Sequence, residues 1–204
     1  MAVDANSLFS TGAEGMFRAT IKGGLYLDVP TRLAATYTGF EEMTTAVITE
    51  ALSCGDVFLD IGANFGFFTV LAASLVGEEG RVFAVEASPE VLPVLRSNLR
   101  DFKNVTIIPC AVGNRSGETD FYLTEDFVNS GVAPSPFIKD SRKISIRIDR
   151  VDDILSRNAD FNGRIDVVKC DVQGDEFAVL EGMRSIISAQ KRLKLIVEWA
   201  PAWM

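Results

Sequence analysis

The sequence predicts an α/β domain, a doubly wound parallel sheet with helices on both of its faces. Two observations carry this prediction. Short apolar runs alternate with helical segments along most of the chain, and the first of these runs ends in a glycine turn that leads into a helix. The 204 residues suffice for one domain with a sizeable core.

The elements follow in order. Residues before about 38 predict a short hairpin around Gly23-Gly24, and a helix is predicted over 41–52, where Gly55 stops it. The apolar runs that predict buried parallel strands lie at 57–61, 81–86, 105–109, 164–171 and 193–199. Helices are predicted over 67–76, from Ser88-Pro89 with the serine as cap, and over 175–189.

One stretch interrupts the alternation. Residues 119–123 and 143–148 predict two further strands, the second with isoleucines at alternate positions. The polar segment 124–142 between them contains Pro134 and Pro136 and predicts a long loop. A loop of this length in a compact domain is a lid, a binding loop or a disordered segment, and the sequence leaves this choice open.

Composition excludes several function classes. A net charge of −8 repels phosphate backbones, so a nucleic acid partner is not expected. The chain has no histidine, which rules out Ser-His-Asp and Cys-His catalysis, and its three separated cysteines do not form a zinc pattern, so no zinc site is expected and no metal ligands are assigned. The longest apolar run is too short to cross a bilayer and the first 17 residues lack Lys and Arg, so we expect a cytoplasmic protein without a membrane partner.

The strongest local signal is the turn from Asp60 to Gly66, which reads DIGANFG. A glycine at the end of a first strand lets a ligand approach the backbone at a helix N-terminus. The dinucleotide fingerprint G-x-G-x-x-G does not fit, because Asn64 and Phe67 occupy its second and third glycine positions. A carboxylate at Asp60 suits the ammonium and sulfonium of S-adenosylmethionine better than a pyrophosphate. The structural alternative is an aspartate that only caps the turn.

Glu86 strengthens this interpretation. It ends the second predicted strand, near the offset of roughly 20 residues at which an acidic side chain reaches a ribose in such folds. Its carboxylate can accept hydrogen bonds from both ribose hydroxyls, although a solvated charge at a strand end is the simpler alternative. Two carboxylates at neighbouring strand ends around one glycine turn are more specific than either alone.

Taken together, these residues resemble the FkbM-type methyltransferases, over the segment from about Tyr37 to Pro201. The matching motifs are GDVFLDIGANFG (55–66), VEASP (85–89), AVG (111–113), NSG (129–131), IDVVKCDVQG (165–174) and VEW (197–199). The chain would then divide into an N-terminal extension, 1–38, and an FkbM-like methyltransferase domain, 39–204, with an inserted hairpin and loop at about 118–148.

The resemblance implies a Rossmann-like methyltransferase with S-adenosyl-L-methionine as cofactor. It implies methyl transfer to a hydroxyl oxygen of a small-molecule or carbohydrate acceptor, often a sugar or a natural product. The cofactor-binding residues it implies are Asp60, Gly62, Ala63, Asn64, Phe65 and Gly66 at the methionine end, Glu86 and Ala87 at the ribose, Cys110 and Ala111 near the adenine, and Asp171 at the reacting centre.

The sequence departs from the family in two places. The family usually has glutamate where this chain has Gln173, which puts a charged role at that position in doubt. Relatives commonly continue after the fifth strand into an antiparallel hairpin. Here the sequence ends first, so either it is truncated or that edge of the sheet is built differently.

The general base for a hydroxyl acceptor has to be a residue other than histidine. Asp171 is the first candidate and Glu198 the second, because both end central strands, where open α/β sheets bind ligands. Asp171 could instead cap the next helix or contact the cofactor. Both carboxylates could also supply oxygen ligands to a hard cation.

Two other functions remain open from the residues alone. One is a nicotinamide-dependent oxidoreductase on a similar sheet, against which the missing glycines count. The other is a non-catalytic protein that keeps the methyltransferase fold to bind a partner, for which Gln173 leaves room. The identity of the acceptor and the oligomeric state are not encoded in any motif.

Overall fold

The computed structural model describes residues 15–21, 23–37, 39–136 and 138–198. The strands are β1 (Met16–Ile21), β2 (Leu25–Pro30), β3 (Val57–Ile61), β4 (Arg81–Val85), β5 (Val105–Ile108), β6 (Ala111–Val112), β7 (Gly117–Thr124), β8 (Ser141–Asp149), β9 (Val167–Cys170) and β10 (Lys194–Val197). The helices are α1 (Glu42–Ala51), α2 (Phe67–Val76), α3 (Leu92–Leu99), α4 (Val151–Ser156), α5 (Glu176–Gly182) and α6 (Arg184–Ala189). A short 3-10 turn covers Thr31–Leu33.

The central sheet has the order β10-β9-β3-β4-β5, and every neighbouring pair in it is parallel. This confirms the five strands predicted from the apolar runs. The chain runs outward from β3 to β4 and β5, and then crosses back to place β9 on the other side of β3. Such a reversal of strand order opens a crevice at the carboxyl ends of β3 and β9, where sheets of this kind bind ligands.

Both faces of this sheet are covered, as predicted. Along β3, the side chain of Phe58 packs into one cluster with residues of α2, α3 and the β1–β2 hairpin. Its neighbours Val57 and Leu59 pack into a second cluster with α4, α5 and α6. The alternation follows from the period of two in a strand, and burial on both sides explains why these strands are continuously apolar.

The predicted N-terminal hairpin is present. β1 and β2 pair antiparallel, and the turn between them has positive φ angles at Gly23 and Gly24 (85° and 79°). Asn98 of α3 fixes the hairpin to the rest of the fold, since its Nδ2 donates to the carbonyl oxygens of Asp28 (2.9 Å) and Phe65 (2.8 Å). The hairpin is thereby attached to the glycine turn after β3.

The inserted segment forms a second sheet of order β6-β8-β7. The antiparallel pairing of β7 with β8 confirms the two predicted strands, while the short β6, parallel to β8, has no signal in the sequence. Part of the long loop returns to β7, where Gly131 and Tyr122 exchange backbone hydrogen bonds.

Several boundaries differ from the predictions. The helix expected from Ser88 begins only at Leu92, after a turn at 89–91, and Pro93, which has no N–H to donate, fits its first turn. The helix expected over 175–189 is divided at Met183 into α5 and α6. A Cβ on Gly182 would lie 1.9 Å from the Gly113 carbonyl oxygen, so this turn is set by packing.

Two predictions fall partly outside the described residues. They concern the beginning of the N-terminal extension, up to residue 14, and Trp199 at the end of the fifth strand. Within the described residues, helices long and apolar enough to traverse a bilayer are absent.

Candidate functional site

A cavity lies at the reversal of strand order, with an empty volume of about 1010 Å³ including its part open to solvent. Most of the site residues predicted from the sequence line it. These are Gly62, Ala63, Asn64, Glu86, Ala87, Cys110, Ala111, Asp171 and Glu198. Asp60, Phe65 and Gly66 belong to the same turn but do not line the cavity.

The glycine turn is clamped between two strand ends. The backbone N–H groups of Gly62 and Ala63 both donate to the Val85 carbonyl oxygen (3.0 and 2.9 Å). Gly62 has a φ of 79°, and a Cβ on it would lie 1.8 Å from the carbonyl oxygen of Asp171. Glycine is therefore required here by the close approach of β9, in addition to any ligand.

Asn64 has a positive φ (50°), which asparagine tolerates. Its side chain makes hydrogen bonds to other residues of the protein. Its Oδ1 accepts hydrogen bonds from the Phe65 N–H (2.8 Å) and the Tyr37 hydroxyl (3.3 Å). Its Nδ2 donates to the Phe127 carbonyl oxygen (3.3 Å). Asn64 thus holds together three segments that are distant in the chain.

Glu86 is buried at the cavity wall and is held by backbone donors. Its Oε2 accepts from the Asn64 N–H (2.8 Å) and its Oε1 from the Ser88 N–H (2.7 Å). Burial raises the pKa of Glu86, while the backbone hydrogen bonds from Ser88 and Asn64 oppose that rise. Each oxygen keeps a second lone pair, so the carboxylate can still accept two hydroxyl donors.

Asp60 lies beneath the turn. It is fully buried, and its Oδ2 accepts a hydrogen bond from the Thr69 hydroxyl (2.6 Å). Burial raises the pKa of Asp60, and the positive charge of Lys169 counteracts this. Its Oδ1 has no hydrogen-bond partner within the described part of the chain. The predicted contact between Asp60 and a bound ammonium group remains a prediction.

Lys169 is a site residue that the sequence reasoning missed. It is 5% exposed, and its Nζ donates to Asp171 Oδ2 (3.0 Å) and to the Gly62 carbonyl oxygen (3.3 Å). Burial lowers the pKa of Lys169, but the carboxylates of Asp171 and Asp60 outweigh burial and raise it. A lysine inside the apolar run VVKC was the signal that could have identified it, because such a charge needs a buried partner.

Asp171 and Glu198 are neighbouring carboxylates whose pKa values shift in opposite directions. Burial would raise the pKa of Asp171, but Lys169 and several hydrogen bonds hold it below its ordinary value. Partial burial and a hydrogen bond to Asp171 raise the pKa of Glu198 to about 8. Gln173 bridges the pair, since its Nε2 donates to Asp171 Oδ1 (2.7 Å) and Glu198 Oε2 (3.0 Å). The amide adds no third negative charge.

Aromatic side chains also line the cavity, and the Phe68 ring lies 5.2 Å from Lys169 Nζ. Tyr37 stacks on Phe40, with ring centroids 4.5 Å apart, and Phe40 meets Phe67 edge to face at 5.0 Å. Phe68 lies 5.2 Å from Phe67. We call these four residues the aromatic wall; they come from the segment before α1 and the start of α2, and the sequence reasoning had assigned none of them to the site.

The long inserted loop also contributes to the cavity lining. Phe127 packs against Phe65 (5.8 Å between centroids), and the Arg32 guanidinium lies 4.5 Å from its ring. Phe127, Val128 and Ser130 line the cavity. Of the three possibilities left open for this loop, the binding loop agrees with this position.

Cys110 and Ala111 follow β5 at the far end of the cavity. Cys110 is 7% exposed, and burial raises the pKa of its thiol to about 11. The thiol is therefore protonated at neutral pH and serves as a small apolar contact rather than a nucleophile.

Carboxylate oxygens of Asp171, Glu176 and Glu198 all lie within 4.8 Å of one another, a spacing that a metal ion could use. These groups are already engaged in the protein. Glu176 Oε1 accepts from the backbone N–H groups of Val172 (3.0 Å) and Gly174 (3.1 Å), and Asp171 is paired with Lys169. We assign no metal to the cluster.

Glu86 offers a direct test of the ribose assignment. We expect Glu86→Ala to weaken binding of S-adenosylhomocysteine by about 10–100-fold, the effect of losing hydrogen bonds to a charged group. Calorimetric titration measures the change, and Glu86→Gln, which keeps one carbonyl acceptor, should lose less. The control is Glu90→Ala, which removes a carboxylate from the same connection that pairs with Arg142 instead. Equal affinities in all variants would contradict the assignment.

Comparison with known proteins gives a consistent result. Residues 60–203 match the family described as methyltransferase FkbM domain. The chain is 39% identical over 71 residues to a probable cobalt-precorrin-6B C(15)-methyltransferase (decarboxylating) of Sulfolobus acidocaldarius, covering 33% of this chain and 37% of that protein. It is 31% identical over 92 residues to a protein-L-isoaspartate O-methyltransferase of Methanococcoides burtonii, covering 41% and 43%. The matches thus span about two fifths of the length of these curated relatives.

Among solved structures, the chain is similar to a precorrin-6y C5,15-methyltransferase from Geobacter metallireducens GS-15. The two share 20% sequence identity, the match covers 78% of this chain and 62% of that one, and the TM-score is 0.44.

Proposed function

The chain belongs to the FkbM methyltransferase domain family, a family of S-adenosylmethionine-dependent methyltransferases, and from this we propose that it methylates a hydroxyl oxygen of a small molecule. One observation carries the proposal. A single cavity is lined by the glycine turn, by Glu86 and by the Asp171–Glu198 pair, so donor site and proton acceptor are adjacent.

The residues present fit the donor. Along the strand ends, apolar Cys110 and Ala111 suit an adenine, Glu86 suits the ribose, and the turn at Gly62 leaves the backbone open for the methionine portion. Bound S-adenosylmethionine would supply a methyl group on a positively charged sulfonium. The carboxylates of Glu86 and Asp171 favour such a cation electrostatically.

The protein's task is then to orient the acceptor and remove its proton. Orientation of two reactants in one site can contribute about 7–11 kcal/mol to lowering a barrier. We propose Glu198 as the base, ahead of Asp171. Lys169 stabilises the charged form of Asp171, which makes Asp171 a weak proton acceptor. Glu198 has a raised pKa and an exposed side chain, so it is the stronger proton acceptor of the two. Asp171 and Gln173 position Glu198 through hydrogen bonds.

The pH dependence tests this order of roles. Glu198 must lose its proton to act as base, so kcat/KM should rise as the pH increases through about 8 and fall below it. Glu198→Gln should lower kcat by about 10²–10⁴-fold and remove this step from the profile. Initial rates of S-adenosylhomocysteine formation provide the measurement.

Asp171→Asn is the informative comparison for that experiment. Burial is the main cause of the raised pKa of Glu198, and Asp171 adds to it; removing the Asp171 charge should therefore move the step to lower pH while the step persists. A step that disappears in Asp171→Asn and persists in Glu198→Gln would reverse the two roles.

The function as a whole is tested by ligand binding. We expect calorimetric titration to detect S-adenosylhomocysteine binding and no binding of reduced nicotinamide dinucleotide. The opposite pattern would favour the oxidoreductase. Binding of S-adenosylhomocysteine without turnover on any of a panel of phenols, sugars and cyclic alcohols would favour the non-catalytic protein.

A further inference from the structure

One region of the cavity wall, around Lys169, is aromatic. It is the aromatic wall, Tyr37, Phe40, Phe67 and Phe68, which lines the same cavity as Glu41, Lys169 and Glu198. Lys169 Nζ lies 5.2 Å from the centre of the Phe68 ring and 3.0 Å from Asp171 Oδ2, and Gln173 bridges Asp171 to Glu198. The wall is preformed, because its rings already contact one another in stacked and edge-to-face pairs. A flat ring can extend such a cluster by the same kinds of contact.

The polar groups in this region are few, and most of their hydrogen-bond donors already have partners in the protein. The Tyr37 hydroxyl donates to Asn64, and the Lys169 ammonium donates to Asp171 and to the Gly62 carbonyl. Burial raises the pKa of Tyr37, so its hydroxyl keeps its proton. Among the described residues that line this region, the groups left to contact a ligand are mainly aromatic carbon and carboxylate oxygen.

This inventory discriminates between acceptor classes. A sugar carries a hydroxyl on most of its carbons; the carboxylates can accept from some of these, but those facing the aromatic rings would be buried without a partner, which weakens binding. A molecule bearing its own carboxylate would be repelled by Glu41 and Asp171. A neutral aromatic ring with a hydroxyl at one edge meets neither obstacle.

We propose that the methyl acceptor is a neutral phenol whose ring lies on the aromatic wall and whose hydroxyl points at Glu198. This inference rests on the proposed methyltransferase function. The phenol's O–H bond breaks and its proton passes to the Glu198 carboxylate. The phenolate oxygen forms a bond to the methyl carbon of the donor, whose carbon–sulfur bond breaks with its electron pair left on sulfur. The products are an aryl methyl ether, protonated Glu198 and S-adenosylhomocysteine.

The acid strength of a phenol agrees with this geometry. A phenolic hydroxyl titrates near 10, as in tyrosine, and Glu198 titrates near 8. Because these two pKa values are close, transfer of the proton from the phenol to Glu198 is only slightly unfavourable. An aliphatic hydroxyl is a far weaker acid and would need a stronger base than the described residues at this end of the cavity offer.

The test compares matched probes on the intact chain with saturating S-adenosylmethionine. The probes are 4-ethylphenol, 4-ethylcyclohexanol of similar size, 4-hydroxybenzoate with an added charge, and methyl glucoside. We expect S-adenosylhomocysteine formation with 4-ethylphenol at a rate at least about 10-fold above each of the others, a difference of roughly 1.4 kcal/mol in transition-state stabilisation.

Variants of the wall identify where the ring binds. Phe40→Ala should raise KM for 4-ethylphenol at least about 10-fold and leave S-adenosylhomocysteine affinity unchanged, because in the proposed arrangement the Phe40 ring contacts the acceptor and not the donor. Phe40→Leu keeps apolar volume without the ring and should give a smaller rise, which separates stacking from misfolding. Phe177→Ala is the control, since this phenylalanine is 74% exposed on α5 and outside the cavity.

The outcomes separate the phenol from the function on which it rests. No binding of S-adenosylhomocysteine and no turnover of any probe would overturn the methyltransferase proposal itself. Faster turnover of methyl glucoside or 4-ethylcyclohexanol would agree with the methyltransferase proposal but would overturn the proposal that the acceptor is a phenol. So would donor-product binding without any turnover of 4-ethylphenol, or a KM that Phe40→Ala and Phe177→Ala change equally.

Discussion

Replacing Lys169 by methionine is expected to lower the free energy of unfolding by about 3–5 kcal/mol, the usual cost of removing one partner of a buried ion pair. The pair is well shielded, because the side chains of Lys169 and Asp171 are 6% and 19% exposed. Methionine fills a similar volume but leaves the carboxylates of Asp171 and Asp60 without their counter-charge. Urea unfolding at neutral pH measures the effect.

The pH dependence of this loss has a defined sign. In the natural chain the pKa of Asp171 lies below its ordinary value of 3.8, so its contribution to stability is present above that value and lost as the pH falls. Without Lys169, burial raises the pKa of Asp171. The carboxylate then destabilises the variant at neutral pH and is relieved by protonation, so the two proteins should converge as the pH falls towards about 4.

Two controls isolate the buried pair. Lys143→Met removes a lysine from an ion pair with Asp120 of similar length (3.1 Å), but both side chains are more than half exposed and little change is expected. The double variant Lys169→Met/Asp171→Asn removes both charges and should recover part of the loss. If Lys169→Met proves no more harmful than Lys143→Met, the electrostatic account of this site is wrong.

Gly62→Ala is expected to have the second large effect, on both stability and donor binding. A left-handed φ costs an alanine about 1–2 kcal/mol, and the new Cβ would also overlap the Asp171 carbonyl oxygen at 1.8 Å. Either the glycine turn or the end of β9 must move, and both line the donor site. We expect S-adenosylhomocysteine affinity to fall at least about 10-fold by calorimetry.

Other glycines in the chain provide matched controls for Gly62. Gly55 has nearly the same φ (81°) with nothing within 4 Å of its ideal Cβ, so Gly55→Ala should show the backbone cost alone. Gly182→Ala would place its Cβ 1.9 Å from the Gly113 carbonyl oxygen, away from the cavity, and should lower stability without changing affinity. An affinity that Gly62→Ala leaves intact would mean that the turn does not form the donor site.

The same electrostatics give a physical reason for Gln173, where the family usually has glutamate. A glutamate at this position would bring a third carboxylate to Asp171 and Glu198, whereas the amide donates to both. The residue itself has a positive φ (59°), so this loop is held in an uncommon conformation. Gln173 therefore holds Asp171 and Glu198 together by hydrogen bonds without adding a charge.

The sequence by itself determined the sheet, its helices and the position of the cavity. Continuous apolar runs such as VFLDI report burial on both faces of a strand, and this is a local property of the chain. The glycine turn and Glu86 were identifiable for the same reason, because they follow directly from strand ends. The division of α5 from α6 was not, since the close approach of Gly182 to the distant Gly113 decides it.

Only the tertiary structure decided which charged groups interact. Lys169 pairs with Asp171 two residues away but also reaches Gly62, more than a hundred positions earlier, and Tyr37 meets Asn64 from a separate segment. The opposite pKa shifts of Asp171 and Glu198 arise from burial and from the charge of Lys169. Hydrophobic periodicity is a local property of the sequence, whereas a pKa or a hydrogen bond between distant residues depends on which elements approach each other in space.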